Sequence, residues 1–352
     1  MRSFAARVIA WQRIHGRTGL PWQGRDPYRV WVSEIMLQQT QVRTVVPYYE
    51  RFLARFPDLA SLARAPLDDV MRSWAGLGYY SRARNLHACA QQVVRDFGGS
   101  FPRTAEAIAE LPGIGRSTAG AILALSRGAR WPILDGNARR VLARYFGVAG
   151  ERGERVCEAR LWELAERCTP QSRIADYTQA IMDFGATVCV RRRPLCAQCP
   201  LRAGCIARRT ARQHELPAPR RPAVRPRRRA FMVVALEGPG KVLLERRPES
   251  GVWGGLWCLP EFITASAATA FIRGTLGVLE GVTPLAALEH AFTHFDLTIT
   301  PLLVQCTGST RLVEEGRSLW YNLSEPARIG LPAPISTLLT QLADETLFDR
   351  RN

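Results

Sequence analysis

Apolar residues recur at helical spacing through residues 1–206. Trp31, Ile35 and Val42 are an example, with gaps of one and two helical turns between them. Turn-forming stretches such as DFGGSFPRT and LPGIGR separate the periodic segments. Because strand-like alternation is missing from this part of the chain, we expect residues 1–207 to form an all-helical domain.

The pattern changes after residue 207. Residues 208–229 are rich in Arg and Pro, with Glu215 as their only acid, which predicts an extended, positively charged linker. Beyond it, AFMVVALEGPGKVLLERRP has two apolar runs around a Gly-Pro-Gly turn, which is typical of a β-hairpin. LTITPLLVQC predicts another strand, and ATAFIRGTLG and PISTLLTQLAD predict helices. We therefore expect a smaller α/β domain over residues 230–345.

The chain has 352 residues and a formal net charge of +17, which favours a polyanionic partner, either nucleic acid or an anionic membrane face. Solvated surface charge is the alternative. The cations are almost all arginine, and Lys241 is the only lysine. No apolar stretch approaches the roughly 20 residues that span a bilayer. The start has no signal-peptide core, so we expect a cytoplasmic, nucleoid-associated monomer, although its arginine-rich character leaves an organelle transit peptide open.

Four of the nine cysteines crowd together in the spacing C-x6-C-x2-C-x5-C. Such a cluster favours a metal site over disulfides in a chain without secretory features. Only one C-x2-C pair is present, which favours a 4Fe-4S cluster, while structural zinc stays open. The candidate ligands are Cys189, Cys196, Cys199 and Cys205, and the intervening Arg191, Arg192 and Arg193 could contact DNA phosphates or simply balance the cluster charge.

The stretch LPGIGRST, from residue 111, raises the question of phosphate binding. It lacks the lysine and the spacing of a nucleotide P-loop. A helix, a tight turn containing Gly113 and Gly115, and a second helix remain. This arrangement favours a helix-hairpin-helix, which holds a DNA phosphate without reading sequence.

The hairpin, LDGN at residues 134–137 and the cysteine spacing together resemble the endonuclease III superfamily of DNA glycosylases. WVSEIMLQQTQV (31–42) and GLGYYSRARNLH (76–87) narrow the resemblance to the MutY-type adenine DNA glycosylases, and residues 230–345 resemble that family's Nudix-like domain. The resemblance implies excision of adenine mispaired with 8-oxoguanine or guanine in double-stranded DNA.

Glu34 is the candidate general acid. Its sequence neighbours Ile35, Met36 and Leu37 suggest burial, which would raise its pKa and keep it protonated. A surface or capping carboxylate beside Ser33 is the alternative. The resemblance implies that this glutamate protonates adenine and then acts on the water.

Asp135 is the second candidate carboxylate. It stands just before an apolar-periodic helix, where Asp is a preferred N-cap. The resemblance implies that it stabilises the oxocarbenium ion, and one residue can do both. The resemblance also implies that Asn137 supports the site and that Asp183 lies near the adenine pocket.

The resemblance assigns further residues to DNA and the base. Gln39 and Tyr79 would wedge into the DNA, with helix surface and core aromatic as the respective alternatives. Leu37 and Trp22 would line the adenine pocket, although core packing suits both equally well.

Ser117 occupies the hairpin position where strand-cleaving relatives carry a Schiff-base lysine. A serine cannot form an imine, and residues 1–207 contain no lysine. We therefore expect a glycosylase without efficient lyase activity, in which Ser117 supports catalysis.

In residues 230–345, the stretch after GVWGGLWCLPEF lacks the glutamate-rich helix that a Nudix hydrolase needs to hold magnesium. We expect recognition instead, because Phe292, Thr293 and His294 resemble the family's Phe-Ser-His loop for 8-oxoguanine. An ordinary turn at a strand edge is the alternative. For the whole chain, two rivals remain: an endonuclease III-like glycosylase/lyase and a non-enzymatic, cluster-stabilised DNA-binding protein.

Overall fold

The computed structural model describes residues 3–150, 154–218, 224–238, 240–249, 251–278, 281–292, 294–307, 317–326 and 329–349. The chain forms two compact units. The helical unit comprises Met1–Arg64 and Asn85–Arg221, and the sheet unit comprises Ala65–Arg84 and Pro222–Asn352. Residues 65–84 thus group with the C-terminal residues, whereas the sequence pattern placed them in the helical domain.

The described part of residues 3–207 forms helices and no strand, as the periodicity predicted. The helices are α1 (Phe4–His15), α2 (Pro27–Leu37), α3 (Val42–Arg55), α4 (Leu59–Arg64), α5 (Leu67–Trp74), α6 (Ser81–Phe97), α7 (Ala105–Ala109), α8 (Arg116–Arg127), α9 (Gly136–Phe146), α10 (Arg155–Cys168), α11 (Ile174–Thr187) and α12 (Ile206–Arg209). Helix α5 and the first turn of α6 belong to the sheet unit, and the other helices belong to the helical unit.

Side chains from α1, α9, α10 and α11 meet in the core of the helical unit. Val8, Leu142, Leu161 and Ile181 are at most 1% exposed there. Helix α11 approaches α9 closely at Gly185, where a Cβ atom would lie 2.6 Å from the Asn137 Cβ. A side chain at position 185 would push the two helices apart, so this glycine sets the spacing at the start of α9.

The sheet unit contains β1 (Arg227–Glu237), β2 (Lys241–Arg246), β3 (Trp257–Cys258), β4 (Glu261–Phe262), α13 (Ala265–Thr275), β5 (Gly277–Val278), β6 (Thr283–Pro284), β7 (Leu288–Ala291), β8 (Asp296–Thr307), β9 (Ser318–Asn322) and α14 (Ala333–Asp349). The central order is β3-β2-β1-β8-β5. Strands β4 and β9 pair with β1 and β2 respectively, and β6 and β7 pair with β8.

The long parallel pair β1–β8 lies at the centre of this mixed sheet, from Arg227 opposite Asp296 to Glu237 opposite Cys306. Hairpin β1–β2 confirms the turn predicted at Gly-Pro-Gly, and β8 confirms the strand predicted in LTITPLLVQC. Helices α13 and α14 confirm the two predicted helices. Helix α13 covers one face of the sheet through Ala268 and Ile272, which are buried against core residues of β1, β2 and β8.

The predicted linker, residues 208–229, is structured at both ends. It starts inside α12 and ends inside β1. Leu216 is only 2% exposed, and its carbonyl accepts a hydrogen bond of 2.8 Å from Arg144 Nε. Within the described residues, no helix is both long enough and apolar enough to cross a membrane.

Candidate active site

A cleft of about 1450 Å³ opens in the helical unit. Its lining comes from the end of α2, residues 17–25, the start of α8, the turn before α9, and α11. Glu34, Leu37, Ser117, Asp135 and Asn137 all line it, so the structure brings together residues that are up to about a hundred positions apart in sequence. A concave site with converging polar groups is the usual form of a ligand pocket.

Glu34 lies in the last turn of α2 and not at a cap. The N-cap of α2 is Asp26, which accepts a hydrogen bond from Tyr28 N, and the Ser33 hydroxyl donates to Val30 O at 2.7 Å. The capping alternative for Glu34 is therefore wrong. Burial raises the pKa of Glu34 to about 8, and the negative charge of Asp135 contributes in the same direction. Glu34 is thus a protonated acid at neutral pH.

Asp135 does cap a helix, as its position in the sequence suggested. Its Oδ1 accepts a hydrogen bond of 2.7 Å from Ala138 N at the start of α9. Its Oδ2 accepts one of 3.1 Å from Asn137 Nδ2. The same carboxylate lines the cleft and acts on the pKa of Glu34, so the cap holds a negative charge facing the acid.

Asn137 is held in turn by Arg140, which the sequence analysis did not single out. Arg140 Nη2 donates to Asn137 Oδ1 at 2.7 Å and to Gly185 O at 2.6 Å, and its Nε donates to Cys189 O at 2.6 Å. The i,i+3 spacing of Asn137 and Arg140, which places both side chains on one face of α9, is the sequence pattern that could have indicated this pair. Arg140 connects the side chain that supports Asp135 to the first residue of the cysteine cluster.

Ser117 lies in the first turn of α8 and lines the cleft. Its Oγ accepts a hydrogen bond of 3.0 Å from the backbone N–H of Leu134. Since Leu134 directly precedes Asp135, the serine hydroxyl fixes the backbone from which the carboxylate projects. The described contact of Ser117 is therefore with the LDGN turn.

Asp183 lies behind the wall of the cleft, not on its surface. The residue is fully buried, and its carboxylate accepts hydrogen bonds from Gln12, Arg17 and Gln179. The Arg17 contacts include Nε at 2.9 Å and Nη2 at 2.5 Å. Because these three partners line the cleft, Asp183 orients pocket residues from beneath. The i,i+4 spacing of Gln179 and Asp183 on α11 could have indicated this contact from the sequence. Gln12 and Arg17 are distant in sequence, and tertiary folding brings them to Asp183.

Trp22, Leu37 and Gln39 line the cleft. Trp22 also packs edge-on against Tyr49, with ring centroids 5.3 Å apart, and it is 7% exposed, so its core and pocket roles coexist. Gln39 follows the end of α2, is exposed and has φ of 60°, in the left-handed region. It is therefore not on a helix surface.

Tyr79 belongs to the sheet unit, in the turn between α5 and α6. It is 43% exposed with φ of 51°, and the Arg82 guanidinium lies 5.4 Å from its ring centroid. The exposure argues against a core aromatic. A non-glycine residue with positive φ is uncommon and often marks a functional turn.

The hairpin turn leads from α7 into α8. Gly113 has φ of 75°, and a Cβ there would lie 2.7 Å from the Asn85 Cβ. Gly115 is the N-cap of α8, has no side chain to cap it and faces open space. The start of α8 thus has no side-chain cap, and the N–H groups at a helix start that lack such a partner favour an anion such as phosphate.

The four clustered thiols lie near one another beside α9. The pKa of the Cys199 thiol is raised to about 11, mainly by burial and in smaller part by the neighbouring thiols of Cys189, Cys205 and Cys196, against a lowering hydrogen bond from the Leu201 backbone. Among the described residues, however, no three His, Cys, Asp or Glu side chains stand in the geometry of a metal site.

Arg144, which is only 3% exposed, holds the loop that carries the four cysteines, residues 189–205. It donates hydrogen bonds to Val190 O at 2.7 Å and Arg191 O at 3.0 Å, and it lies 3.5 Å from the Cys189 Sγ. The side chains of Arg191, Arg192 and Arg193 are exposed.

In the sheet unit, Phe292 and His294 lie in the connection between β7 and β8; Thr293 is outside the described residues. Phe292 stacks on Phe295 with centroids 4.5 Å apart, and His294 contacts Phe295 edge-on at 4.8 Å. Helix α13 carries no Asp or Glu, so it lacks the ligands of a Nudix magnesium helix.

Comparisons with known proteins agree with this arrangement. Residues 32–167 match the HhH-GPD superfamily of base excision DNA repair proteins, and residues 231–341 match a NUDIX domain. A solved thermostable thymine-DNA glycosylase shares 31% identity over 59% of this chain and 95% of its own, with a TM-score of 0.54. A non-covalent endonuclease III–DNA complex shares the fold at 20% identity, over 58% of this chain and 94% of that one, with a TM-score of 0.50. The fold and site define a DNA glycosylase of base excision repair.

Relatives in sequence define the family within this class. The adenine DNA glycosylase of Buchnera aphidicola subsp. Acyrthosiphon pisum (strain APS) is 37% identical over 96% of both chains. That of Homo sapiens is 35% identical over 84% of this chain and 66% of its own. This chain belongs to the adenine DNA glycosylase family.

Proposed function

We propose that this protein excises adenine that is mispaired with 8-oxoguanine or guanine in double-stranded DNA. The observation that carries the proposal is the pairing, in one cleft, of Glu34, whose pKa is raised to about 8, with the carboxylate of Asp135. An enzyme that cleaves the bond to adenine must first flip the base out of the DNA stack and into a pocket. The cleft that Trp22 and Leu37 line is the candidate pocket.

Glu34 would donate its proton to a ring nitrogen of the flipped adenine. The bond between the sugar C1′ and the base nitrogen then breaks, with its electron pair leaving on the base. The Asp135 carboxylate stabilises the resulting oxocarbenium ion. Glu34, now ionised, accepts a proton from the water that adds to C1′, which restores the acid and leaves an abasic site.

Ser117 supports a reaction that stops at base removal. Its hydroxyl binds Leu134 N–H, and it has no amine to form an imine with the opened sugar. Borohydride treatment during the reaction tests this point: little covalent trapping is expected, and efficient trapping would contradict a monofunctional enzyme.

Cys189, Cys196, Cys199 and Cys205 would hold a 4Fe-4S cluster. Four neighbouring thiols and the buried cation Arg144 suit an anionic cluster, since the guanidinium offsets its charge. When bound, the cluster supplies a cross-link that fixes residues 189–205, with Arg191, Arg192 and Arg193 facing outward toward phosphates. Iron and sulfide analysis, with the absorption of the purified protein, separates this cluster from zinc.

Phe292 and His294 would contact the 8-oxoguanine opposite the excised adenine. Their rings lie on a packed aromatic support at the β7–β8 connection.

The decisive experiment compares three duplexes, with A opposite 8-oxoguanine, A opposite G, and thymine glycol opposite A, under single-turnover conditions. Adenine release from the first two with no action on the third is expected. Release of thymine glycol would instead support an endonuclease III-like activity.

A further inference from the structure

Trp253, in the turn between β2 and β3, holds a backbone conformation that tryptophan rarely adopts. Its φ is 54°, in the left-handed region, and the residue is only 7% exposed. Such a conformation persists where the surroundings determine it, and it often marks a functional site. The catalytic cleft does not use this residue.

The turn around Trp253 is tightly closed. Leu256 N donates to Trp253 O at 3.0 Å, and Gly255 N donates to Arg247 O at 3.2 Å. Gly254 has no room for a side chain, because a Cβ there would lie 2.2 Å from Glu249 O. The backbone of this turn therefore has little freedom to reposition the Trp253 ring.

Arg84 holds the same turn from outside. Its Nη1 donates a hydrogen bond to the carbonyl oxygen of Gly254, which directly follows Trp253 in the chain. Arg84 lies in the first turn of α6, directly after the segment that carries Tyr79. The segment expected to enter the DNA and the Trp253 turn are thus joined within the sheet unit by one hydrogen bond.

The Trp253 ring contacts the side chains that support the β7–β8 connection. Its centroid is 5.5 Å from that of His290 and 5.4 Å from that of Phe292, and these two rings meet edge-on at 4.6 Å. Burial lowers the pKa of His290, which keeps its ring neutral at pH 7 and compatible with aromatic packing.

We propose that Trp253 is a positioning residue that presents Phe292 to the base opposite the adenine, and that Arg84 couples its turn to the Tyr79 segment. The inference rests on the proposed reading of 8-oxoguanine by Phe292 and His294. The proposed role of Trp253 adds a determinant of specificity that lies outside the β7–β8 connection that carries Phe292 and His294.

The test measures single-turnover excision and duplex affinity for A:8-oxoguanine and A:G with the full chain. Trp253→Ala removes two aromatic contacts, so the preference for 8-oxoguanine over G should fall by about tenfold, the usual effect of aromatic pairs. Trp253→Tyr keeps a ring in place and should recover most of the preference. Trp320→Leu removes a tryptophan that packs on the sheet core instead and should leave the ratio unchanged.

Arg84→Met keeps the aliphatic stem and removes the hydrogen bond to Gly254. It should reduce the same preference, and its effect should not add to that of Trp253→Ala, because both act on one turn. Arg273→Met, at an exposed position on α13, controls for the lost charge, which affects both duplexes alike.

The outcomes separate the inference from the proposed function. A wild-type protein that releases adenine with no preference for 8-oxoguanine over G removes the proposed reading of 8-oxoguanine by Phe292 and His294, on which the inference rests, and one that releases no adenine removes the proposed function itself. A wild-type preference that survives in Trp253→Ala overturns the positioning role alone. A lowered melting temperature with an unchanged ratio assigns Trp253 to stability only, and so also overturns it.

Discussion

The charge of Asp135 raises the pKa of Glu34. Burial makes the larger contribution, and together they move the pKa from 4.5 to about 8. The two carboxylates of the cleft thus differ in environment, since Glu34 is buried whereas Asp135 accepts hydrogen bonds from Ala138 N and Asn137 Nδ2. Such a difference assigns an acid role to one and an electrostatic role to the other.

The pH profile of adenine excision should therefore have a basic limb near pH 8. Glu34 must carry a proton to protonate the base, so single-turnover rates should hold through neutral pH and fall as pH rises through about 8. Rates on A:8-oxoguanine from pH 6 to 9.5 check this expectation. A rate that stays constant to pH 9.5 would contradict it.

Glu34 also links stability to pH. Between pH 4.5 and about 8 the folded chain retains a proton that the unfolded chain has lost, so this group's contribution to stability decreases as pH rises across that window. Above about pH 8 both states are ionised and the contribution stops changing. Glu34→Gln should remove this dependence, which denaturant titrations at several pH values would measure.

Glu34→Gln should reduce adenine release by about 10²- to 10⁴-fold or more, because an amide cannot donate the catalytic proton. DNA affinity should change little, since the charge of the protonated acid is already neutral. Glu50→Gln, on the exposed face of α3, is the matched control and should act like the wild type. Retained excision by Glu34→Gln would refute the assignment of the acid.

Asp135 has two roles that substitutions can separate. Asp135→Ser keeps a side-chain acceptor for Ala138 N, whereas Asp135→Ala removes it and should cost about 1 kcal/mol of stability. Both lose the charge, so both should lose about 10²- to 10³-fold in excision rate. Melting temperatures and single-turnover rates measured together test this. If the Ser variant were active, Asp135 would be only a cap.

Ser117→Ala should leave the Leu134 N–H without its acceptor, at a cost of about 1 kcal/mol. Because this N–H directly precedes Asp135, the excision rate should fall more than affinity for DNA. Ser126→Ala, on the same helix, removes a hydroxyl that donates to Ile122 O of that helix and serves as the control. Equal rates for the two variants would show that Ser117 does not position Asp135.

Much of this architecture was predictable from the sequence because the signals are local. Helical periodicity, the Gly-Pro-Gly hairpin and the cap position of Asp135 all depend on neighbours in the chain. The resemblance assigned the acid role to Glu34, because its local sequence also fits a surface or capping carboxylate. Its burial depends on packing that no short window of sequence encodes.

Long-range partners escaped prediction for the same reason. Arg17 and Asp183 are 166 positions apart, and nothing in either local sequence indicates that they meet. The grouping of residues 65–84 with the sheet unit depends on contacts such as that of Arg246 with Asp68 at 3.0 Å. An arginine looks alike in sequence whether it is solvated or bonded to a distant carboxylate.

Asp183 supports the last prediction. Its buried carboxylate accepts bonds from Gln12, Arg17 and Gln179, so Asp183→Asn replaces one acceptor oxygen by a donor facing other donors and leaves the Arg17 charge without its partner. Because the Arg17 side chain is 29% exposed and only Asp183 is fully buried, the cost should be about 1.5–3 kcal/mol, the range for hydrogen bonds to a charged group. Asp96→Asn removes an exposed pair with Arg95, neither of which lines the cleft, and should cost much less. Denaturant unfolding compares the stabilities of the two variants.

If Asp183→Asn folds, its single-turnover rate should fall even at saturating enzyme, because the three residues that Asp183 orients line the cleft. An Asp183→Asn variant as stable and active as Asp96→Asn would mean that the buried network neither stabilises the fold nor shapes the pocket.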